Sequence, residues 1–261
     1  MTDLATTLSH RLNGAWKAAA MHFGFSLLVA GSLAALVLLV WYPFPYTELV
    51  GGLRLFALVT TVDIVCGPLL TLILFHTGKK IAELTMDLSL VVLLQLGALA
   101  YGLNVVAMSR PVAVVFEVDR LRVVTSVEVE QEDLAKAKPP LNKLSWIGPA
   151  LLSARDPANG SETIASIELS LKGNEPSQRP HWWQPYETAR SRVLEVARPV
   201  AMLRTKHPTK TAMIDQMVKE SGASEANLRW LPITSFKSSE WVALVDATSA
   251  RPISYLPLDG F

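Results

Sequence analysis

Cysteine is nearly absent from this chain. Its 261 residues include one, Cys66, inside a long apolar run. A single cysteine excludes an intrachain disulfide and a thiolate metal cluster. Excess charge is lacking too: 24 Lys and Arg stand against 23 Asp and Glu. So even a balance supplies no strongly basic face, and nucleic acid is not expected as a partner. Histidine is sparse and scattered. No two of His10, His22, His76, His181 and His207 fall at metal-ligand spacing on one element. The signatures G-x-S-x-G, the Walker loop, H-E-x-x-H and G-x-G-x-x-G are missing, as are internal repeats and low-complexity tracts. Function must be argued from a site, and no catalytic site is visible. No catalytic residue, cofactor or metal is expected, and the chain is not expected to be an enzyme.

What the chain has is hydrophobic length, unevenly placed. Half its residues are hydrophobic, and nearly all the long apolar runs lie before Met108. From Arg110 onward, charges are frequent and mixed. That asymmetry predicts a membrane anchor followed by a globular domain. Three spans are predicted, at about 21–41, 53–75 and 86–108, each long enough for a hydrocarbon core of ~30 Å. The first, from Phe23 to Trp41, exceeds the ~7–15 residues of a signal-peptide core and is expected to be retained. Residues 1–20 read as a cytoplasmic lead-in. Trp41 and Tyr42 suit an aromatic belt, and Pro43 and Pro45 stop the first helix before a short loop, YPFPYTELVGG. Ala30, Gly31, Ala34 and Ala35 allow close helix packing. Arg11, Lys17, Lys79 and Lys80 fall on one side of the membrane against Arg54 alone on the other. The positive-inside rule then puts the N-terminus in the cytoplasm and residues 110–261 outside, which is the periplasm for a bacterial inner membrane.

The second span, LRLFALVTTVDIVCGPLLTLILF, carries Asp63 near its middle and Gly67-Pro68 one turn later. An acid at that depth is costly and faces protein or water. Pro68 cannot donate its backbone hydrogen bond and tends to kink the helix. Asp63 reads either as structural glue or as a polar contact for another helix. As glue it would bond Gln95 or Tyr101 of the third span, or a backbone carbonyl freed by Pro68. A proton relay would need a second intramembrane ionisable group at similar depth, and the sequence has none there.

After Pro111 the periodicity changes. PVAVVFEVDRLRVVTSVEVE reads as two strands with a tight turn near Asp119-Arg120. A short helix over 132–137, a strand near 150–153 and a helix over 161–171 follow. Alternation within 161–171 also fits a strand. Helices are predicted at 186–197 and 209–221, then strands in LRWLPIT, EWVALVD and RPISYLPL. Strands, then helices, then strands predict an α+β domain with a mainly antiparallel sheet. Glu117 to Arg120 reads as an exposed hairpin tip with a local ion pair. His181, Trp182, Trp183 and Tyr186 form the densest aromatic group, suited to a core or to a partner interface.

These residues also resemble a known family. Asp63 with Gly67-Pro68-Leu69-Leu70, then Leu94-Gln95-Leu96, Ala100-Tyr101-Gly102 and Arg110-Pro111-Val112 occur in order. Val115 to Arg120, Gln178-Arg179-Pro180 and Gln184-Pro185-Tyr186 continue it. Together they are similar to the type IV pilin accessory proteins, the TfpX/TfpZ group. The resemblance implies a bacterial inner-membrane accessory factor that helps a cognate major pilin reach assembly. It implies contact with that pilin, with other inner-membrane pilus assembly proteins and with the lipid bilayer. Such a pilin is held by one apolar N-terminal helix, with its head in the periplasm. The family supplies no catalytic residues. Candidate partner contacts are Asp63, Gly67, Pro68, Gln95, Tyr101, Trp182, Trp183 and Tyr186. The alternatives are a membrane-anchored sensor or a pilin-modifying enzyme component. A sensor needs a cytoplasmic output module, for which the loop at 76–85 is too short.

Overall fold

The structure, a computed structural model, describes residues 2–75 and 78–261. His76 lies outside them, as do the side chains of His10 and Arg11. The chain divides into two compact units: Met1–Val40 with Gly52–Met108, and Trp41–Gly51 with Ser109–Phe261.

The first unit is helical. Helix α1 (Thr2–Ala35) continues into a π-helical turn, Leu36–Trp41. After a short α2 (Tyr46–Leu49), which belongs to the second unit, come α3 (Gly52–Leu74) and α4 (Ile81–Met108). Among the described residues three stretches are long and apolar enough to cross a membrane: Gly14–Trp41, Phe56–Leu74 and Ile81–Met108. Residues 2–20 run into the first span without a break, because no helix breaker intervenes before Pro43. Helix α3 is the middle helix and packs against both α1 and α4. Outward faces expose Leu28, Ile73 and Leu93.

The second unit is built on an eight-stranded sheet. Its strands are β1 (Pro111–Glu117), β2 (Arg120–Thr125), β3 (Ala150–Ala154), β4 (Trp183–Pro185), β5 (Arg198–Pro199), β6 (Leu228–Thr234), β7 (Trp241–Asp246) and β8 (Pro252–Leu256). The order is β4-β3-β1-β2-β6-β7-β8, with β5 beside β6. The sheet is mixed rather than mainly antiparallel: β1 runs parallel to β3 and β2 parallel to β6. Parallel pairing needs a long crossover. Residues 126–149, which include α5 (Gln131–Lys136), supply the first, and the helices between β4 and β6 supply the second. The hairpins are legible as Val-rich strands around turns; these crossovers leave no local trace.

All seven residues of β1 are buried. Two cores flank the sheet. One joins Val112, Val124, Leu134, Leu152 and Trp183. The other packs α8 (Val200–Lys206) and α9 (Thr211–Glu220) on β6–β8 through Leu203, Ile214, Trp230 and Leu244. In the chain between β4 and β5 lies α7 (Arg190–Val196), shorter than the helix expected over 186–197 because its start is 3-10 helical. The ambiguous 161–171 stretch is a helix, α6 (Gly160–Leu171). Its N-cap is Asn159 rather than Ser161, with Oδ1 accepting from the Glu162 N–H at 2.9 Å.

The segment Trp41–Gly51 departs most from the linear reading. A short loop between spans is expected, yet it forms part of the sheet unit. Tyr42 and Leu49 are fully buried. The Tyr46 and Tyr255 hydroxyls lie 3.2 Å apart, and Ser235 Oγ donates to the Leu49 carbonyl at 2.6 Å. Pro43 and Pro45 turn the chain, and the apolar residues after them join the domain core.

Candidate functional site

In the helical unit, Asp63 sits half-buried on α3 beside Gln95 of α4. Gln95 Nε2 donates to Asp63 Oδ1 and to the Asp63 backbone carbonyl, both at 3.2 Å. Gly67, one turn on, makes this possible: a Cβ there would stand 2.0 Å from Gln95 Nε2. Pro68 lies inside α3 and lacks the N–H that would bond Ile64. Of the two side chains expected near Asp63, only Gln95 makes the bond. Tyr101 is 74 % exposed and lines a smaller groove of about 460 Å³ between α3 and α4.

A larger groove, about 720 Å³, runs over α3 between α1 and α4. Its walls are mostly apolar: Met21, Phe25, Val29, Phe75, Val92 and Leu99. Asp63 and Gln95 line it, as do Lys17, His22, Ser26 and Thr71. His22 Nδ1 and Thr71 Oγ1 are hydrogen-bonded at 2.6 Å. Sequence reasoning missed this second polar pair. A Thr one turn after Pro68 and a lone His on another helix give no signal until packing joins them. The result is an apolar groove with two polar notches.

The aromatic candidates sit elsewhere. Trp182, Trp183 and Tyr186 are buried in the sheet unit. Trp183 Nε1 donates to the Ser177 carbonyl at 2.8 Å, and the Tyr186 hydroxyl to the Ala250 carbonyl at 2.7 Å. Burying a ring that also finds a hydrogen bond is the commoner use of such residues. Arg179, buried beneath Trp182, bonds the Ser166 carbonyl at 2.9 Å and Ser166 Oγ at 2.7 Å. It thereby ties the second half of α6 to the 3-10 turns that precede β4.

Glu117 overturns the exposed-tip reading, being 2 % exposed. It accepts from the Ser177 N–H at 2.8 Å and from Arg120 Nε at 3.3 Å. Arg120 reaches Glu175 Oε2 at 3.0 Å. Burial, then the hydrogen bond and charge of Glu175, push the Glu117 carboxyl up to about 7. Only Val118 and Asp119 form the open turn. The outer face of α6 shows Ile164, Ile167 and Leu171 exposed at helical spacing, a stripe the alternating pattern concealed. Among the described residues no three His, Cys, Asp or Glu group as metal ligands.

A helical unit apolar enough to cross a membrane, with a polar notch, shares one chain with a mixed-sheet domain. The chain belongs to the fimbrial assembly protein (FimB) family. The FimB family model matches residues 10–51. The fimbrial assembly protein of serogroup I from Dichelobacter nodosus is 35 % identical over 88 % of this chain and 90 % of its own length. The serogroup E1 protein from that organism is 34 % identical over the same shares. That of serogroups C1 and C2 is 43 % identical over 46 % of this chain and 92 % of its own. No solved structure matches the chain.

Proposed function

We propose that this protein is a non-catalytic accessory factor of type IV pilus biogenesis, holding its cognate major pilin at the bacterial inner membrane before assembly. The groove over α3 carries this reading. It is apolar along its walls, open on one side, and provided with polar groups at Asp63, Gln95, His22 and Thr71. An apolar pilin helix bearing a polar group fits that chemistry better than lipid does. Membership of a family whose relatives are named fimbrial assembly proteins supports it. In this reading the N-terminus is cytoplasmic and the sheet domain periplasmic. The exposed stripe Ile164, Ile167 and Leu171 then offers the pilin head a second contact. Two weak contacts on one chain combine through effective concentration.

The test is photo-crosslinking in cells, with the reactive group at Phe25 or Val92 in the groove. Capture of the pilin from both positions is the expected result. Crosslinks that never contain pilin, at normal protein level, would sink the proposal. An Asp63→Asn variant separates charge from hydrogen bonding: full surface piliation would leave Asp63 a structural role only.

A further inference from the structure

We propose that the sheet unit carries its own lipid-binding face, made by Phe44, Trp146, Ile147 and Phe236, which sits in the headgroup layer of the bilayer its apolar helices enter. This goes beyond pilin binding and does not depend on it.

These four side chains are 58–83 % exposed, though a folded domain seldom leaves such residues in water together. They are joined through the segment Trp41–Gly51. Phe44 lies within it, its ring centroid 6.3 Å from that of Trp241. Trp146 packs on Trp41, with ring centroids 6.0 Å apart. Phe236 stands between Ser235, which bonds the Leu49 carbonyl, and Lys237, whose side chain lies over Gly51. At Gly51, with φ +72, a Cβ would meet Lys237 Nζ at 2.3 Å, so a glycine is needed for the approach. Arg110, itself buried, backs the Trp146 ring. Its guanidinium lies 3.7 Å from the Trp146 ring centroid and Nε donates to the Ser145 carbonyl at 3.2 Å.

Chain connectivity identifies the occupant. Trp41 ends one membrane-capable stretch, Gly51 directly precedes α3, and Arg110 follows the last residue of α4 by two. Phe44 is three residues from Trp41, at most about 11 Å of extended chain. The headgroup zone is roughly 5–7 Å deep in each leaflet. Rings tethered this closely to span ends are held at the depth where Trp and Phe partition. Lys143 and Lys237, both exposed, flank the face and suit anionic headgroups.

The experiment uses the full chain with Cys66→Ser, carrying one introduced cysteine at Ile147→Cys, Phe236→Cys or, as control, Leu171→Cys. Each is labelled with an environment-sensitive dye and reconstituted without other proteins into phosphatidylethanolamine–phosphatidylglycerol vesicles. The expected result is blue-shifted emission at 147 and 236, quenched at least twofold more strongly by headgroup-nitroxide lipids than at 171. Equal, water-like emission at all three positions would overturn the proposal. So would shielding at 147 and 236 that appears only when another protein is added.

Discussion

Gln95 donates one amide nitrogen to two acceptors on Asp63, the carboxyl Oδ1 and the backbone carbonyl, each at 3.2 Å. The backbone bond holds α4 against α3 whatever the charge on Asp63. The side-chain bond gives the acid a partner while leaving its second oxygen to the groove. A polar pair of this kind can fix a helix–helix register and still meet a third helix.

Gly67→Ala should break that pair. The new Cβ would meet Gln95 Nε2 at 2.0 Å, and the amide is the far end of a flexible side chain, so Gln95 swings away. Intramembrane side-chain hydrogen bonds average about 0.6 kcal/mol, so a loss of about 1 kcal/mol is expected for two. Thermal unfolding in detergent measures it. In a Gln95→Ala background the same substitution should cost less, and equal costs in both backgrounds would deny the coupling.

Gly102→Ala meets a stiffer neighbour. Its Cβ would lie 2.4 Å from Val59 Cγ1 and 3.1 Å from Val59 Cβ. A β-branched side chain in a helix keeps essentially one rotamer, so the helices must separate. The expected cost is about 1–3 kcal/mol, larger than at Gly67, and Val59→Ala should recover most of it. The same unfolding measurement ranks the two glycines.

The buried Glu117 predicts a pH dependence for the sheet unit. Its carboxyl titrates near 7 when folded and near 4.5 when unfolded. Between those values the folded state holds a proton that the unfolded chain has lost. Its stabilising contribution is therefore full below pH 4.5 and lost as pH rises through 7, at a cost of about 3 kcal/mol. Glu175 acts in the opposite sense. Burial tends to raise it, but the Glu117 hydrogen bond and the charges of Arg120 and Arg122 outweigh burial and lower it. Its contribution is present above 4.5 and lost as pH falls below. The unfolding midpoint should thus be lower at pH 8 than at pH 6. Glu117→Gln should flatten that difference, and an unchanged slope would refute the assignment.

Val118 holds φ +50 at the β1–β2 turn, exposed and β-branched. L-residues avoid that region, and Asn tolerates it best after Gly. Val118→Asn should stabilise the sheet unit by about 1 kcal/mol, read as a higher denaturation midpoint with unchanged steepness.

Much of this was legible in the sequence. The three membrane-capable helices follow from length and apolarity, and Asp63 with Gly67-Pro68 stands out as an acid beside a Gly-Pro pair in an apolar run. The β1–β2 and β6–β7–β8 strands follow from Val-rich runs around turns. What was not legible depends on long-range pairing. Nothing local tells β3 to lie parallel to β1, or brings His22 to Thr71. Glu117 looked like a surface charge because its neighbours in sequence are charged. It is buried by Ser177 and Glu175, some sixty residues away. Trp182 and Trp183 carried the same ambiguity, since aromatic rings serve cores and interfaces alike.

The segment between the first two membrane-capable stretches gives the sharpest test of the fold. A plain loop there would tolerate substitution at any position. Here Leu49 is fully buried and its carbonyl accepts from Ser235, whereas Phe44, five residues earlier, is exposed. Leu49→Ala removes buried methyl groups from a site pinned by that bond and by Tyr46 against Tyr255. The expected cost is about 2–4 kcal/mol, and that of Phe44→Ala is below about 1. For a unit of this size, about 2–4 °C accompany each kcal/mol, so Leu49→Ala should lower the midpoint by roughly 5–15 °C. Amide exchange at Ser235 should accelerate with it, because the Leu49 turn and the β6–β7 connection lose their shared packing. If both variants melt like the parent, the eleven residues are a surface loop and the sheet unit stands without them.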